Sequence, residues 1–180
     1  MIPETDLVLR AFARRPPEDL AKDLWGPKDA APSATPELIA FILERYHETH
    51  RREFPEAIRL ARKVEATHAQ DPDCPVGLAD HLAMIADDLE GHQRKEETVL
   101  FPMMLQGGGQ MVRFPIARMM SEHVDVDEQL DHLEAMTDMF TAPIGACAAW
   151  RDLYRICGKI DRDLREHMRL ENEVLFARFL

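Results

Sequence analysis

The sequence predicts an all-α protein, an up-down-up-down four-helix bundle with a short helical segment at its N-terminus. Three observations predict this fold. Apolar residues recur at intervals of three and four over four long segments, which is the spacing of one face of an α-helix. Turn-forming residues separate these segments. No segment alternates apolar and polar residues as a strand would, and the short connections favour antiparallel neighbours.

The chain divides into an N-terminal segment and linker, residues 1–34, and a four-helix domain, residues 35–180. Within the first part, residues 7–15 and 18–25 each have the length of a short helix, and two prolines separate them. A connector rich in Pro and Ala then leads into the domain.

Turn signals set the helix boundaries in the domain. Thr35 is predicted to cap the first helix, with Pro36 at its first position. A turn with two prolines at 71–75, three glycines at 107–109 and Thr-Ala-Pro at 141–143 end the first three helices. The predicted helices therefore span about residues 36–69, 76–105, 114–140 and the remainder of the chain.

Composition and charge limit the function classes. A length of 180 residues suits one domain, and a net charge of −11 argues against nucleic acid or an anionic membrane as a partner. The three cysteines form no Cys-x-x-Cys pair, which indicates a reducing compartment. The N-terminus lacks the pattern of a signal peptide, and the longest apolar run, LIAFIL, is too short to span a bilayer. We therefore expect a cytoplasmic protein.

A repeated motif carries the functional prediction. HQRKEETVLF begins at His92, and HMRLENEVLF begins 75 residues later at His167. Each copy contains His-x-x-x-Glu, a spacing that places an imidazole and a carboxylate on one face of a helix. One further histidine precedes each copy, by 45 residues in the first half and 44 in the second. The chain thus has two matching halves, each with two histidines and one glutamate.

These six residues occupy predicted core positions where leucine is expected. Burying an unpaired carboxylate costs several kcal/mol, so such side chains require partners or a metal. Their distances from the predicted helix ends place all six within about one helical turn of 5.4 Å. The same stripes predict Val99, Met103 and Val174 in the core. We therefore predict a two-metal site with these ligands: His47, His92, Glu96, His123, His167 and Glu171.

Two residues close to these ligands are weaker candidates. His50 lies one turn beyond His47 on the same stripe, and we favour support of a ligand over direct ligation. Asp127 lies four residues after His123, where a ligand or a supporting acceptor would fit. The matching position after His47 is Arg51, so the internal symmetry argues against ligation by Asp127.

Other features of the sequence are weaker evidence for a functional site. His68 shares the first helix with His47, but 21 residues at 1.5 Å each separate them by about 31 Å. His81 and His132 have no matching partners, so surface roles are expected. The glycines at 107–109 follow no strand and lack the Gly-Lys-Ser/Thr of a phosphate loop, which indicates a helix stop.

Several phrases of the domain resemble a known family. The segments that carry this resemblance are RYHETHRREFPEAIRLARKVE, HQRKEETVLFP, SEH and HMRLENEVLF. The domain resembles the hemerythrin-like di-iron proteins of iron-sulfur cluster repair, a group that includes nitric-oxide-associated proteins of denitrifying bacteria. The resemblance covers residues from about 36 to the end. It implies metal ligation at the same six residues, and Glu122 matches a family acid held to line access to the metals. One departure is that repair proteins usually carry an N-terminal domain with adjacent cysteines, whereas residues 1–34 contain no cysteine.

The ligand set indicates the cofactor. Imidazole and carboxylate ligands suit iron, and ligand type alone leaves manganese and zinc open. With Glu96 and Glu171 as bridges, each metal has two histidines and two carboxylate oxygens. An oxo or hydroxo bridge would make each metal five-coordinate, with one open position. The expected cofactor is therefore two iron ions, bridged by the carboxylates and by oxo or hydroxo, and the open positions fit two small diatomic molecules.

We therefore expect a cytoplasmic non-haem di-iron protein that binds nitric oxide and acts in the nitrosative or oxidative stress response, including iron-sulfur cluster repair. Damaged iron-sulfur proteins are then expected partners. One alternative is an enzyme that reductively couples nitric oxide to nitrous oxide, which requires an electron donor. Others are a hemerythrin-like sensor or carrier of O2, and a bundle with a purely structural metal.

Overall fold

The computed structural model describes residues 31–180. The two short helices expected at residues 7–15 and 18–25 lie outside the described residues. Within residues 31–180 the regular structure is helical, without strands, and four long helices account for most of it. Three of them contain a π-helical turn, in which the backbone hydrogen bonds span one residue more than in an α-helix.

The helices are labelled α1 to α4 in chain order. Their bounds are as follows: α1, Thr35–Ile42, a π turn at Leu43–His47, and Glu48–Thr67; α2, Leu78–Lys95, a π turn at Glu96–Leu100, and Phe101–Leu105; α3, Arg113–Met136, preceded by a 3-10 turn at Gln110–Val112; α4, Ala148–Leu170, a π turn at Glu171–Leu175, and a 3-10 turn at Phe176–Arg178.

The four helices form a closed ring in chain order. α1 packs against α2 and α4, and α3 packs against α2 and α4. Short connections join consecutive helices, as an up-down-up-down bundle requires. The predicted four-helix bundle is therefore confirmed.

Two apolar clusters fill the interior at different levels. One contains residues of the second half of α1 and the first half of α2, together with α3 and α4 residues from Val126 to Met168. The other contains the first turns of α1, the ends of α2 and α4, and the start of α3. Along α1 and α2 the polar residues 47–50 and 92–96 lie between these clusters. The bundle thus has apolar packing on both sides of one polar layer.

The predicted core stripe is wrong by one residue beyond this layer. Because a π turn accommodates one extra residue, every side chain that follows it is displaced by one position around the helix. Val99 is 49% exposed, and Met103 and Val174 are only partly buried. The buried residues are each one position later than predicted: Leu100, Met104 and Leu175.

The beginning of α1 also differs from the prediction. The helix already includes Thr35, its cap is Ala34, and no side chain caps it. The Thr35 hydroxyl instead accepts a hydrogen bond from Arg178 near the C-terminus (2.9 Å). The predicted proline in the first turn is present, so only the capping role of Thr35 was wrong.

Two other boundaries shift. α2 begins at Leu78 rather than 76, and α3 ends at Met136 rather than about 140. The hydroxyl of Thr137 donates to a backbone carbonyl one turn earlier (2.7 Å), a side-chain bond that competes with helix continuation. The next three residues, 138–140, have positive φ angles of 46°, 55° and 61°, which turn the chain away from the helix axis.

Candidate metal centre

The six predicted ligands lie together in the polar layer. They come from all four helices, and none is more than 4% exposed. α1 and α3 each supply one histidine, and α2 and α4 each supply a histidine and a glutamate. The exposed fractions are 0% for His47, 3% for His92, 0% for Glu96, 4% for His123, 1% for His167 and 0% for Glu171.

Each π turn adjoins one of these residues. His47 ends the π turn of α1, while Glu96 and Glu171 begin those of α2 and α4. Since only the last residue of His-x-x-x-Glu in α2 and α4 belongs to the π turn, α-helical geometry still places its imidazole and carboxylate on one face. π turns of this kind occur frequently at functional sites.

The donor atoms form two groups of four that share both glutamates. His47 and His167 belong to one group, and His92 and His123 to the other. Within each group, one donor atom per residue lies within 4.8 Å of all the others. Below, the first group is called position 1 and the second position 2.

Each carboxylate oxygen faces a different histidine. The Nε2–oxygen distances are 3.5 Å for His47 and Glu96 Oε2, 3.4 Å for His92 and Glu96 Oε1, 3.3 Å for His123 and Glu171 Oε2, and 3.1 Å for His167 and Glu171 Oε1. Both glutamates thus present one oxygen to position 1 and one to position 2, which is how a carboxylate bridges two cations.

The chemistry of the donor atoms fits a pair of cations. All four oxygens of Glu96 and Glu171 are buried without a hydrogen bond from any described residue, as is Nε2 of His47 and of His167. The contacts of 3.1 to 3.5 Å bring these groups close without aligning them as hydrogen bonds. Two buried carboxylates in this state cost several kcal/mol, and cations at positions 1 and 2 would offset that cost.

The outer nitrogens of three histidines have hydrogen-bond partners from another helix. These bonds join Nδ1 of His47 to Glu97 (2.8 Å), Nδ1 of His92 to Glu122 (3.0 Å), and Nδ1 of His123 to Asn172 (3.0 Å). An acceptor at Nδ1 holds the ring in the tautomer that leaves Nε2 free for a metal. Nδ1 of His167, by contrast, is buried with no partner among the described residues.

Two of these acceptors were missed by the sequence analysis. Glu97 and Asn172 occupy the same place in the two motif copies, directly after the glutamate. The presence of a hydrogen-bonding residue at that place in both copies was the sequence signal that could have predicted these acceptors. Glu122 was singled out only through the family resemblance, and it lies against His92.

Cations on the surface hold the outer acceptors in place. Glu122 accepts hydrogen bonds from Lys95 (2.6 Å) and Arg118 (2.7 Å) as well as facing His92. Burial alone would raise the pKa of Glu122, but these three partners lower it to about 2. Glu97 accepts in the same way from Arg51 (2.8 Å). Glu97 and Glu122 are therefore ionised, since their partners outweigh burial and lower the pKa of both carboxyls. Ionisation strengthens their hydrogen bonds to His47 and His92.

Without a metal, the ligands form a network of opposite charges. Burial lowers the pKa of His92, but contact with Glu96 together with Glu171 and Glu122 outweighs it and raises the pKa to about 9. Burial also lowers the pKa of His47, but Glu96, Glu171 and Glu97 together outweigh burial and raise it. Burial dominates at His167 and lowers its pKa. Metal ions need neutral imidazole, so binding at this centre must release protons.

The weaker candidates stand outside the two donor groups. His50 is 1% exposed, but it belongs to neither group. Asp127 forms an ion pair with Arg165, which also pairs with Asp131 and Asp161. One polar partner of Asp127 is therefore a guanidinium on α4.

The remaining histidines lie elsewhere. His68 follows α1 at the far end of the bundle, where its Nε2 contacts the Cys147 thiol (3.3 Å). His81 contacts the backbone carbonyl of Gln129 through its Nε2 (2.9 Å), and its ring lies 4.7 Å from that of His132. His68, His81 and His132 are not part of either donor group.

The fold and this layer of donors define a class of helical cation-binding protein. Residues 38–179 match the family described as the hemerythrin HHE cation binding domain, and the chain belongs to that family. All six candidate ligands lie within the matched residues.

Individual relatives are similar over most of the chain. The chain is 43% identical over 162 residues to the iron-sulfur cluster repair protein YtfE of Dickeya chrysanthemi strain Ech1591, covering 90% of this chain and 73% of that protein. It is 46% identical over 143 residues to the YtfE of Yersinia pestis strain Pestoides F, covering 79% and 65%. For the YtfE of Edwardsiella ictaluri strain 93-146 it is 45% identical over 144 residues, covering 80% and 65%. The chain thus spans about two thirds to three quarters of the length of these relatives.

Within residues 31–180, no helix combines the length and the apolar character that crossing a membrane demands.

Proposed function

We propose that this chain is a non-haem di-iron protein that binds nitric oxide or a related diatomic molecule in the response to nitrosative or oxidative stress. The observation that carries this proposal is the pair of four-donor groups sharing Glu96 and Glu171. Each group supplies two imidazoles and two carboxylate oxygens, a donor set that suits iron. When bound, the iron pair would supply binding positions for small ligands and redox chemistry.

The charges of the donors support two metals and a further anionic bridge. Glu96 and Glu171 are ionised, because their histidine neighbours outweigh burial and lower both pKa values. The two carboxylates contribute two negative charges, whereas two divalent cations carry four positive charges. An oxo or hydroxo group between the metals would add negative charge and still leave each metal a free coordination position.

The surroundings of the ligands favour a neutral, apolar ligand. The ring of Phe101 stacks on His47, and that of Phe176 stacks on His123, each with centroids 6.0 Å apart. Both phenylalanines end the Val-Leu-Phe phrase of a motif copy and are at most 2% exposed. They place an apolar ring beside one histidine of each position. A small uncharged molecule such as nitric oxide loses little hydration on entering such an environment, unlike an anion.

We propose that the binding of nitric oxide by this chain serves the repair of damaged iron-sulfur clusters. The relatives named as repair proteins support it, with damaged iron-sulfur proteins as partners. We assign the function to the domain formed by residues 35–180, which contains all six ligands.

Metal analysis combined with an anaerobic nitric oxide titration tests the proposal. We expect about two irons per chain and, after reduction, uptake of two nitric oxide molecules with both irons changing together in Mössbauer or paramagnetic resonance spectra. Fewer than two irons, or no spectral change with nitric oxide, would refute the proposal. Saturation at one equivalent would instead favour a carrier or sensor of O2.

The same titration examines the enzymatic alternative. It is favoured by the shared glutamates, because positions 1 and 2 adjoin each other and would hold two nitric oxide molecules side by side. Coupling consumes two nitric oxide molecules, two electrons and two protons and yields nitrous oxide and water. Repeated release of nitrous oxide with added reductant would establish catalysis, and a stable end point without it would support binding.

A further inference from the structure

The outer partners of the site histidines follow two rules across the two halves. In the first rule, the residue directly after the glutamate of each half bonds the first histidine of the same half, as Glu97 bonds His47 and Asn172 bonds His123. The second rule joins the two halves. The residue directly before the first histidine of one half forms a hydrogen bond with the second histidine of the other half. Glu122 thus bonds His92.

The second rule fails at His167. The matching residue, directly before His47, is Tyr46. Its ring lies face to face with the His167 ring, with centroids 5.0 Å apart and planes 3° apart. A ring in this position cannot accept a hydrogen bond that an imidazole donates in its own plane. Nδ1 of His167 consequently has no partner among the described residues.

A second buried imidazole lies at the place where the rule fails. The ring of His50 is stacked on that of His167, with centroids 5.8 Å apart and planes 30° apart, and it is 1% exposed. A direct in-plane hydrogen bond between the two rings is therefore excluded as well. Neither of its nitrogens has a hydrogen bond from the described protein atoms. In the other half the corresponding residue, three after His123, is Val126. A polar residue therefore occupies this position only in the half that contains Tyr46.

We propose that His50 is the outer hydrogen-bond partner of His167, through one water molecule that accepts from His167 Nδ1–H and donates to a His50 nitrogen. This inference rests on the proposed metal centre. A neutral imidazole offers one acceptor and one donor, and a buried water commonly joins polar groups that otherwise have no partner. His50 is then a positioning residue, which orients His167 toward position 1.

Loss of an outer partner of a metal-binding histidine typically lowers metal affinity by about 10- to 100-fold. We therefore expect His50→Leu to weaken Fe2+ binding by about 10- to 100-fold. His50→Gln retains an acceptor and should keep most of the affinity. Asn172→Leu, which removes the acceptor of His123, is a positive control, and His132→Leu on the surface is a negative control.

The stability of the metal-free protein separates this role from a structural one. His50→Leu replaces two buried nitrogens without protein partners by an apolar side chain, so metal-free stability should be unchanged or higher. Affinity would be measured anaerobically on the full chain by competition with a chromophoric Fe2+ chelator. Unfolding of the metal-free variants in guanidinium chloride would be measured in parallel.

Three results would overturn the inference. The first is wild-type Fe2+ affinity in His50→Leu, and the second is equal loss in His50→Gln and His50→Leu. The third is a clear loss of metal-free stability in His50→Leu, which would show that His50 supports the fold. The proposed function fails on a different result, a wild-type protein that binds two Fe2+ ions but takes up no nitric oxide.

Discussion

The metal-free protein should lose stability as the pH rises from about 6.5 to about 9, and His92 is the cause. Burial alone would lower its pKa, but Glu96, Glu171 and Glu122 together raise it from 6.5 to about 9 in the folded state. A group whose pKa is raised on folding stabilises the protein fully below its unfolded pKa. That stabilisation disappears as the pH passes the folded value. At about 1.4 kcal/mol for each pH unit, His92 contributes about 3 kcal/mol.

A comparison with His92→Gln isolates this contribution. Guanidinium chloride unfolding of chelator-treated protein would be measured from about pH 6 to about pH 9.5. The variant cannot take up the proton, so the stability difference between wild type and variant should shrink by about 3 kcal/mol over this range. His132→Gln is the control and should track the wild type. A difference that stays constant with pH would refute the charge network described for the metal-free site.

Metal binding should reverse the sign of this pH dependence. A bound metal requires neutral imidazole, and the pKa of His92 is about 9 in the metal-free protein. Protons therefore compete with the metal below about pH 9, and apparent Fe2+ affinity should fall with decreasing pH. Since bound metal stabilises the folded state, the loaded protein should be less stable at low pH. Parallel pH profiles for loaded and metal-free protein would contradict this reasoning.

Two further predictions concern the bridging glutamates and the helix register. Glu96→Ala or Glu171→Ala should abolish the coupled metal pair, because each glutamate serves both positions. His68→Ala should keep about two metals per chain. Metal analysis and spectra would show the reverse if the centre lay elsewhere. Leu100→Ala should cost about 2–5 kcal/mol, as for a buried leucine, whereas Val99→Ala should change stability by less than about 0.5 kcal/mol. Equal costs in denaturant unfolding would contradict the π turn of α2.

The sequence was sufficient for the bundle and for bringing the six donors together because both depend on local spacing. His-x-x-x-Glu fixes the relation of His92 to Glu96 within one turn of helix. Helix length then sets the level of that turn in an antiparallel bundle. Neither step requires knowledge of how the side chains of different helices meet. The role of these donors as metal ligands remains a prediction that metal analysis tests.

The outer partners could not be found in the same way. His92 and Glu122 lie on different helices, and their contact depends on how α2 and α3 pack. The contact between His68 and Cys147 is also a product of packing, since it joins the end of α1 to the residue before α4. Spacing along the chain contains no direct signal for such pairs, except where internal symmetry repeats them.

The π turns explain why the core prediction failed just beyond the metal layer. They also explain the position of the repeated Val-Leu-Phe motif. In an unbroken α-helix each residue is rotated by about 100° from the last, so Val99 would face inward and Phe101 would be turned away from His47. The extra residue in the π turn rotates the chain back by one position. Leu100 then fills the core and Phe101 stacks on His47. The phrase and the π turn therefore act together, because only the displaced register lets each motif copy cover a histidine of the centre with its phenylalanine.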